Sequence, residues 1–289
     1  MNAELLINAI VAGVLLGGFY AAVSIGLTMS FGLLDVPQVA HPVFVITGGY
    51  GVLLLERLGL PILLAGLVLT PVFFISGLLM YRLYHWSFER RGTDTAMRGI
   101  AFFFGIAFIV EIGLALIFGV DNQMVTTVFA GKSLQIGFVR MPYRLLVAFG
   151  CSLALAGVLG AFLSRTFSGR AIKAVAQDQM ALELVGADPV RMKQLAFGIG
   201  TATVGVAGAI MLIVGPIEPV LGRQYIGKAF AIVVLAGLGS IKGTLLAAII
   251  LGVAENIVLA TVGTSWAPAI AFALLLVVLI VRPAGLFGR

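Results

Sequence analysis

The chain has 289 residues, of which 61% are hydrophobic and only 10% are charged. Soluble domains carry roughly 25% charged residues, so this composition excludes an ordinary soluble protein and indicates an integral membrane protein. The formal net charge of +6 comes from basic residues in short loops, where they orient helices in a bilayer, and we therefore expect no nucleic-acid partner. Cys151 is the single cysteine, which excludes a disulfide framework and a thiolate metal cluster.

Long apolar runs divide the chain into predicted membrane-spanning helices. A bilayer core of about 30 Å is crossed by roughly 20 apolar residues of helix, so the chain has room for about 7–9 crossings with short connections. We therefore predict an all-α fold, a polytopic transmembrane helical bundle that forms a single domain over residues 1–289. In chain order the predicted runs are about 5–31, 36–55, 60–83, 100–119, 143–163 and 195–215, and the remaining crossings lie between 229 and 281.

The apolar run from 229 to 260 is too long for one crossing, because a single helix of that length would measure about 48 Å. Three glycines and Lys242 interrupt it in the stretch GLGSIKG, residues 237–243. The first arm, AFAIVVLA, has only the length of a half-span. Two interpretations stay open for it: a re-entrant segment, or a short tilted helix with a cytoplasmic turn.

Two basic loops indicate how the helices are oriented. The loop after the third run has four arginines between 82 and 98, and the loop after the fifth run has five basic residues between 165 and 193. Short basic loops stay in the cytoplasm. Because two crossings separate these loops, both lie on the same face, which predicts an N-terminus outside the cell and a cytoplasmic C-terminus.

Sequence motifs for catalysis or nucleotide hydrolysis are missing. Gly131, Lys132 and Ser133 resemble the end of a phosphate-binding loop, but Thr126 stands where the first glycine of that loop belongs. Neither HExxH nor GxSxG occurs, and the chain has only two histidines. We therefore expect no enzyme activity, no metal site and no cofactor bound by this chain.

Polar residues and glycines inside the apolar runs are candidates for a substrate path. Prolines and a glycine pair loosen the second run, and glycines break the segment after 229, so we place the path between these two segments. Neither segment contains a well-placed pair of opposite charges, and we expect a largely apolar passage that selects by size. The candidate path residues are Gln38, His41, Thr47, Gly48, Gly49, Gly237 and Gly239.

Three of the intramembrane polar residues also have structural interpretations, since a charge at membrane depth costs about 3 kcal/mol and seeks a partner. His41 precedes Pro42 and either lines the path or satisfies backbone carbonyls freed by the proline. Glu111 is expected to bind a neighbouring helix. Glu255 is expected to line the bundle interior or to lie near the outer interface.

The polar stretch RAIKAVAQDQMALELVG, residues 170–186, interrupts the apolar chain. Arg170, Lys173 and Gln177 recur at spacings of three and four, which predicts one polar face of a helix. Gly186 is placed to end that helix, and the Asp-Pro pair at 188–189 predicts the start of another. Two helices therefore meet at a cytoplasmic elbow that leads into the sixth crossing. This geometry suits either the docking of a soluble partner or an interfacial helix on anionic lipid.

Four ordered stretches carry a family resemblance: GGFYAAVSIGLTMSFGLLDVPQVAH, GRAIKAVAQDQMALELVGADPVRM, FAIVVLAGLGSIKGTLLAAIILGVAE and VRPAGLFG. Over essentially its whole length the chain resembles the permease subunits of branched-chain amino acid ABC importers, the Liv-type family. The resemblance implies a bacterial inner-membrane permease that forms the substrate path. It implies as partners a second permease subunit (a sister or an identical chain), two cytoplasmic ATPases that use ATP, and an external solute-binding protein.

The resemblance also implies that residues 165–193 form the cytoplasmic coupling segment that contacts an ATPase. The candidate coupling residues are Arg170, Lys173, Gln177, Ala181, Gly186 and Arg191. A self-sufficient secondary transporter or channel for small solutes is the alternative function.

Overall fold

The computed structural model describes residues 3–92, 95–125, 131–184 and 186–287. Within these residues the chain forms α-helices, one β-hairpin and short 3-10 or π turns. The elements in chain order are α1 Ala3–Leu27, α2 His41–Arg57, α3 Ile62–Ser87, α4 Thr95–Phe118, β1 Ser133–Ile136, β2 Val139–Pro142, α5 Tyr143–Arg165, α6 Phe167–Val175, α7 Gln179–Leu184, α8 Pro189–Val214, α9 Leu221–Ala236, α10 Ile241–Thr261 and α11 Ala267–Val281.

Seven described helical spans are long and apolar enough to cross a bilayer: α1, α3, α4, α5, α8, α10, and α11 together with the 3-10 turn before it, Thr264–Val281. Two more, α2 with 17 residues and α9 with 16, are shorter and lie within the bundle. This architecture confirms the predicted polytopic helical bundle.

The bundle has two ends, which we name by their contacts. At the hairpin end, β1 and β2 pair antiparallel, and the amide of Asn8 near the start of α1 donates to the carbonyl of Phe138. At the elbow end lie α6 and α7. The C-terminal segment lies at the elbow end as well, where the amide of Leu286 donates to the carbonyl of Leu235 at the end of α9. The first helix therefore starts at one end of the bundle and the C-terminal segment lies at the other.

Helices α1 and α8 form the centre of the bundle, and small residues let their neighbours approach closely. A Cβ atom added to Gly17 of α1 would lie 2.5 Å from the Cα of Ile249 in α10. Helices associate in lipid without a hydrophobic driving force, so such close backbone contacts are a main source of stability. On the outside, α3, α4 and α11 expose large apolar side chains such as Leu67, Leu116 and Ile280.

The second apolar run does not become one full helix. The prediction of a crossing at 36–55 is wrong at its start, because α2 begins only at His41. Residues 33–40 are irregular, with Asp35 at a positive φ of 54° and Pro37 unable to donate a backbone hydrogen bond. This irregular segment is mostly buried between helices, which is the condition under which non-helical backbone is tolerated at such a position.

The predicted break after 229 is present, but the helix before the break is longer than the predicted arm. Gly237 ends α9 with a φ of 85°, and the Ser240 hydroxyl caps α10 by accepting a hydrogen bond from the amide of Gly243. The arm predicted at eight residues is a helix of 16, which extends back to Leu221 and measures about 24 Å. Because α9 runs from the hairpin end to the elbow end, the structure favours a short helix over a re-entrant segment.

The elbow is two short helices instead of one. The predicted continuous helix from 170 to 186 is wrong, because α6 ends at Val175 and α7 begins at Gln179. The carboxylate of Asp178 accepts a hydrogen bond from the amide of Met180 and so caps the new helix locally. The predicted ends are confirmed: Gly186 has a φ of 81°, and Asp188 caps α8.

Candidate substrate path and coupling elbow

A cleft of about 1150 Å³ opens at the elbow end of the bundle. Its walls come from α5, from the residues that follow α1 and from the turn between α9 and α10. Asp35 and the basic residues Arg165, Lys173 and Lys242 line it. Among the predicted path residues, Gly239 lines this cleft. A role of the cleft in the substrate path stays a prediction.

The hairpin end has a much smaller cavity of about 240 Å³. The backbones of Gln123 and Ile217 pair across this end in both directions at 2.8 Å, and Arg57 donates to the side chain of Gln123 at 3.1 Å. These bonds tie the loop after α4 to the end of α2 and to the loop after α8. The two ends of the bundle therefore differ in the size of their cavities.

The predicted path residue Gln38, just before α2, lies in a buried polar network. The Ser30 hydroxyl donates to the Gln38 amide oxygen at 2.5 Å, and the Gln38 amide nitrogen donates to the Thr201 hydroxyl at 3.2 Å. His41 is also fully buried, with its ring against Gly26 of α1. The network fastens the irregular segment before α2 to both central helices. A path role for Gln38 and His41 stays a prediction.

Pro42 does not free a backbone carbonyl for His41. It stands in the first turn of α2, where a missing N–H breaks no helical hydrogen bond. The explanation of His41 as a partner for freed carbonyls is therefore wrong.

The glycine pair of α2 contacts another helix in this structure. A Cβ added to Gly48 would lie 2.6 Å from the carbonyl oxygen of Val204, and a Cβ added to Gly208 would lie 2.4 Å from the amide of Gly49. These contacts place α2 directly on α8. Thr47 is half-buried and donates to the carbonyl of Val43, one turn back in its own helix.

Gly237 is buried where the C-terminal segment meets the turn after α9. A Cβ added to Gly285 would lie 2.6 Å from the amide nitrogen of Gly237. Gly237 lies beside the cleft-lining Gly239 and shapes this turn, since both have positive φ.

A buried pair of opposite charges crosses the bundle between α9 and α10. Lys228 Nζ lies 2.6 Å from Glu255 Oε1, and the Tyr20 hydroxyl donates to the other carboxylate oxygen at 2.7 Å. The expectation of no such pair covered residues 36–55 and 229–260, and Lys228, which supplies the partner of Glu255, lies one residue before the second of these segments. Glu255 is buried and paired, so it does not lie free at the outer interface.

A second ion pair links α4 to α9 nearer the hairpin end. Arg223 donates from Nη2 to Glu111 Oε1 at 2.9 Å, and its guanidinium stands 5.3 Å from the centre of the Phe108 ring. The prediction that Glu111 binds a neighbouring helix is confirmed. Arg223 is 45% exposed and Glu111 is buried, so this pair is half-open to its surroundings.

A third cluster joins the elbow end of α3 to the start of α8. Glu89 accepts hydrogen bonds from Lys193 at 2.5 Å and from Tyr81 at 2.7 Å, and lies 2.9 Å from the His85 ring. Burial raises the pKa of Glu89, but the hydrogen bonds from Lys193, His85 and Tyr81 outweigh it and hold the pKa below its usual value of 4.5. The cluster anchors the first turns of α8 directly after the elbow.

The polar coupling residues lie on the surface of the elbow. Arg170, Lys173, Gln177 and Arg191 are exposed, and Arg191 also pairs with Asp188 at 3.1 Å. Gln177 lies in the turn after α6. Ala181 belongs to α7, but its side chain falls outside the described residues.

The sequence interpretation missed exposed apolar side chains beside these polar ones. Phe167, Met180 and Leu184 are each at least 74% exposed. Beneath them Ala171, Val175 and Leu182 pack into a small core of their own, so the elbow is a packed unit. The sequence periodicity of one continuous helix could have predicted that Leu184 is exposed. The break at 176–178 changes which residues lie on the same helix face, so the prediction could not extend to the whole elbow.

The described residues contain no group of three or more metal-ligating side chains. The structure instead combines a polytopic helical bundle, a wide cleft open at one end and a packed elbow of short helices beside it. This combination is typical of a membrane transport protein.

Comparison with known proteins identifies the family. Residues 9–279 match the family described as branched-chain amino acid transport system / permease component, and the chain belongs to this family. The chain is therefore a membrane permease, which confirms the resemblance carried by the four sequence stretches.

Individual relatives align over nearly the full chain. It is 30% identical over 292 residues to the high-affinity branched-chain amino acid transport system permease protein LivH of Escherichia coli (strain K12), which covers 96% of this chain and 94% of that protein. LivH of Salmonella typhimurium is 31% identical with the same coverage. The corresponding permease protein BraD of Pseudomonas aeruginosa is 28% identical over 300 residues, 98% of this chain and 96% of that protein.

Proposed function

We propose that this chain is the permease subunit of an ATP-driven importer for branched-chain or related amino acids. The observation that carries the proposal is the family match over residues 9–279, supported by relatives whose names state this transport. The chain itself binds no cofactor in this proposal, and ATP is used by partner ATPase subunits.

The elbow is the proposed docking site for a cytoplasmic ATPase. Its exposed apolar side chains, Met180 and Leu184, stand beside the exposed charges of Arg170 and Lys173, a mixture suited to a protein surface. The elbow core connects directly to α8, one of the two central helices, so a displacement of the elbow reaches the middle of the bundle. The elbow end is then cytoplasmic.

The hairpin end is then outside the cell, where an external solute-binding protein would deliver the amino acid. A second permease, identical or a sister chain, completes the transporter in the membrane, with lipid around the exposed faces of α3, α4 and α11.

Reconstitution tests the function. The chain, purified with the ATPase, binding protein and second permease encoded beside it, is placed in proteoliposomes, and uptake of radiolabelled leucine is measured with and without ATP. We expect uptake that needs ATP, the ATPase and the binding protein. Uptake by the chain alone, driven by an ion gradient, would establish the alternative of a secondary transporter.

Cysteine labelling tests the orientation. Arg90→Cys at the elbow end and Asn122→Cys at the hairpin end, each in a Cys151→Ser background, are exposed to a membrane-impermeant maleimide in intact cells and in inverted vesicles. We expect Asn122→Cys to react only in cells and Arg90→Cys only in inverted vesicles. Reaction of both from the same side would refute the layout.

A further inference from the structure

The Lys228–Glu255 ion pair lies near the cavity at the hairpin end, on the far side of the Tyr225 ring that lines it. Burying two charges costs free energy that their attraction recovers only with good geometry and additional hydrogen bonds. Here the additional partner is Tyr20, whose hydroxyl lies 3.1 Å from Lys228 Nζ and 2.7 Å from Glu255 Oε2. Charged residues placed within a membrane bundle are functional candidates for this reason.

One cavity-lining side chain, Tyr225, also lies beside the ion pair. Phe19 and Tyr225 line the cavity, and their rings meet edge to face with centroids 5.7 Å apart. The same Tyr225 ring has its centroid 6.0 Å from Lys228 Nζ. A rotation of this one ring would therefore connect the cavity to the charges.

The lining of the cavity suits a small aliphatic group. Met211, Val214 and Leu221 add apolar surface to the two aromatic rings. The volume of about 240 Å³ is below the roughly 300 Å³ at which pockets for drug-sized ligands begin, so one small solute fits.

An amino acid zwitterion carries the two charges that this ion pair can exchange. Its carboxylate can replace Glu255 as a partner of Lys228, and its ammonium can replace Lys228 as a partner of Glu255, so no buried charge is left unpaired. We propose that the cavity and the ion pair form one binding site for an aliphatic amino acid. In it Lys228 binds the α-carboxylate, Glu255 binds the α-ammonium, and Phe19 and Tyr225 contact the side chain. This inference rests on the proposed function and adds the residues that recognise the substrate.

A merely structural ion pair would tie α1, α9 and α10 together without contacting substrate. The two roles differ in ligand preference. A structural tie affects the uptake of every ligand equally, whereas a binding pair discriminates between ligands that have or lack each charge.

The experiment uses the complete transporter in proteoliposomes and measures inhibition of leucine uptake by two analogues. Leucine amide lacks the carboxylate, and 4-methylpentanoate lacks the ammonium group. Wild type should discriminate strongly against both. Lys228→Met should lose most of its discrimination against leucine amide, and Glu255→Gln most of its discrimination against 4-methylpentanoate, while leucine uptake itself falls. Arg223→Met is the matched control, because it breaks another ion pair of the same helix, Arg223–Glu111, that is not part of the proposed site, and it should keep the wild-type preference.

A second variant tests the cavity without disturbing the charges. Tyr225→Trp enlarges a lining ring and should raise the KM for leucine more than the KM for alanine.

If Lys228→Met and Glu255→Gln reduce uptake but keep the wild-type preference, or if Tyr225→Trp changes both KM values alike, the ion pair is only a structural tie. If the charge variants fail to assemble with the ATPase, the Tyr225→Trp result decides. Failure of wild type to take up any amino acid would refute the proposed function instead.

Discussion

At the scale of single residues, the elbow end depends on a few side chains with unusual surroundings. Lys193 is buried and has Glu89 as its ion-pair partner, and the positive φ of Gly186 lets the chain turn from α7 into α8. Both features sit between the proposed ATPase-docking surface and the bundle centre. Their effects on stability and on coupling can be separated.

Glu89 should make the stability of the protein depend on pH. A carboxylate whose pKa is lower in the folded protein than in the unfolded chain stabilises the fold above its unfolded pKa, and this stabilisation disappears as the pH falls through the folded pKa. Glu89→Gln should therefore lower the Tm most at neutral pH, where it leaves Lys193 buried without its partner. The difference should shrink below pH 4.5, as wild type loses the same interaction.

Thermal unfolding of the purified protein between pH 7 and the acid range measures this difference. The exposed Glu4→Gln is the control and should follow wild type at every pH. A Glu89→Gln deficit that stays constant with pH would contradict the assignment.

Gly186→Val should impair coupling through backbone strain alone. A Cβ at this position would meet no atom within 4 Å, but the φ of 81° disfavours a β-branched residue by about 1 kcal/mol or more. The elbow should shift, so that less amino acid is taken up per ATP hydrolysed while membrane insertion is unchanged. Gly105→Val, at an open position without positive φ on α4, should behave as wild type. Normal coupling in Gly186→Val would mean that the elbow does not transmit force.

At the scale of elements, the contact between α2 and α8 is set by glycines on both helices. Gly48 and Gly49 were expected to loosen α2 along a path, and in the structure they let its backbone touch that of α8. Backbone-to-backbone contact leaves no side chain that could move aside. The helix pair should therefore be intolerant of even one added methyl group.

Two alanine substitutions on α2 separate this contact from helix propensity. Gly48→Ala would place its Cβ 2.6 Å from the Val204 carbonyl oxygen, whereas Gly51→Ala would meet the movable end of the Leu69 side chain at 2.9 Å. Alanine favours the helix equally at both positions. Gly48→Ala should destabilise the protein by about 1–3 kcal/mol from overpacking, and Gly51→Ala much less. The Tm values of the two variants in detergent test this prediction. Equal Tm values would contradict it, because they would show that α2 and α8 move apart easily at Gly48.

At the scale of the whole molecule, the two ends of the bundle differ in the size of their cavities. The cleft of about 1150 Å³ belongs to the elbow end, and the hairpin end has a cavity of about 240 Å³ and the backbone pairing between Gln123 and Ile217. An alternating-access transporter exposes its substrate route at one end at a time, and we expect the elbow end to be the more accessible one without nucleotide.

Thiol reactivity measures the difference between the ends. In a Cys151→Ser background, Ser164→Cys lies on the wall of the cleft and Val214→Cys lines the smaller cavity at the hairpin end. Without nucleotide, Ser164→Cys should react several-fold faster with a small polar thiol reagent added at the elbow end than Val214→Cys does with reagent added at the hairpin end. Faster reaction of Val214→Cys would show that the resting transporter is open at the other end.

The sequence alone determined the features that depend on local chemistry. Run lengths and basic loops predicted the bundle and the relative position of its ends, glycines marked the breaks at 186 and 237, and the Asp-Pro pair marked the start of α8. These features need only neighbouring residues, because φ preferences, helix caps and hydropathy act within a few positions of the chain. The four motif stretches indicated the family for the same reason, because each is a contiguous stretch of the sequence.

Only the tertiary structure decided which distant residues meet. Lys228 finds Glu255 and Tyr20 through the packing of three helices, and no spacing in the sequence encodes that contact. The structure also decided the role of Gly48 and Gly49. In the sequence, a glycine pair is compatible with a loosened helix and with a close helix contact alike. Side-chain pairing and the shape of a cleft depend on how helices rotate and tilt against each other, and that depends on the whole bundle at once.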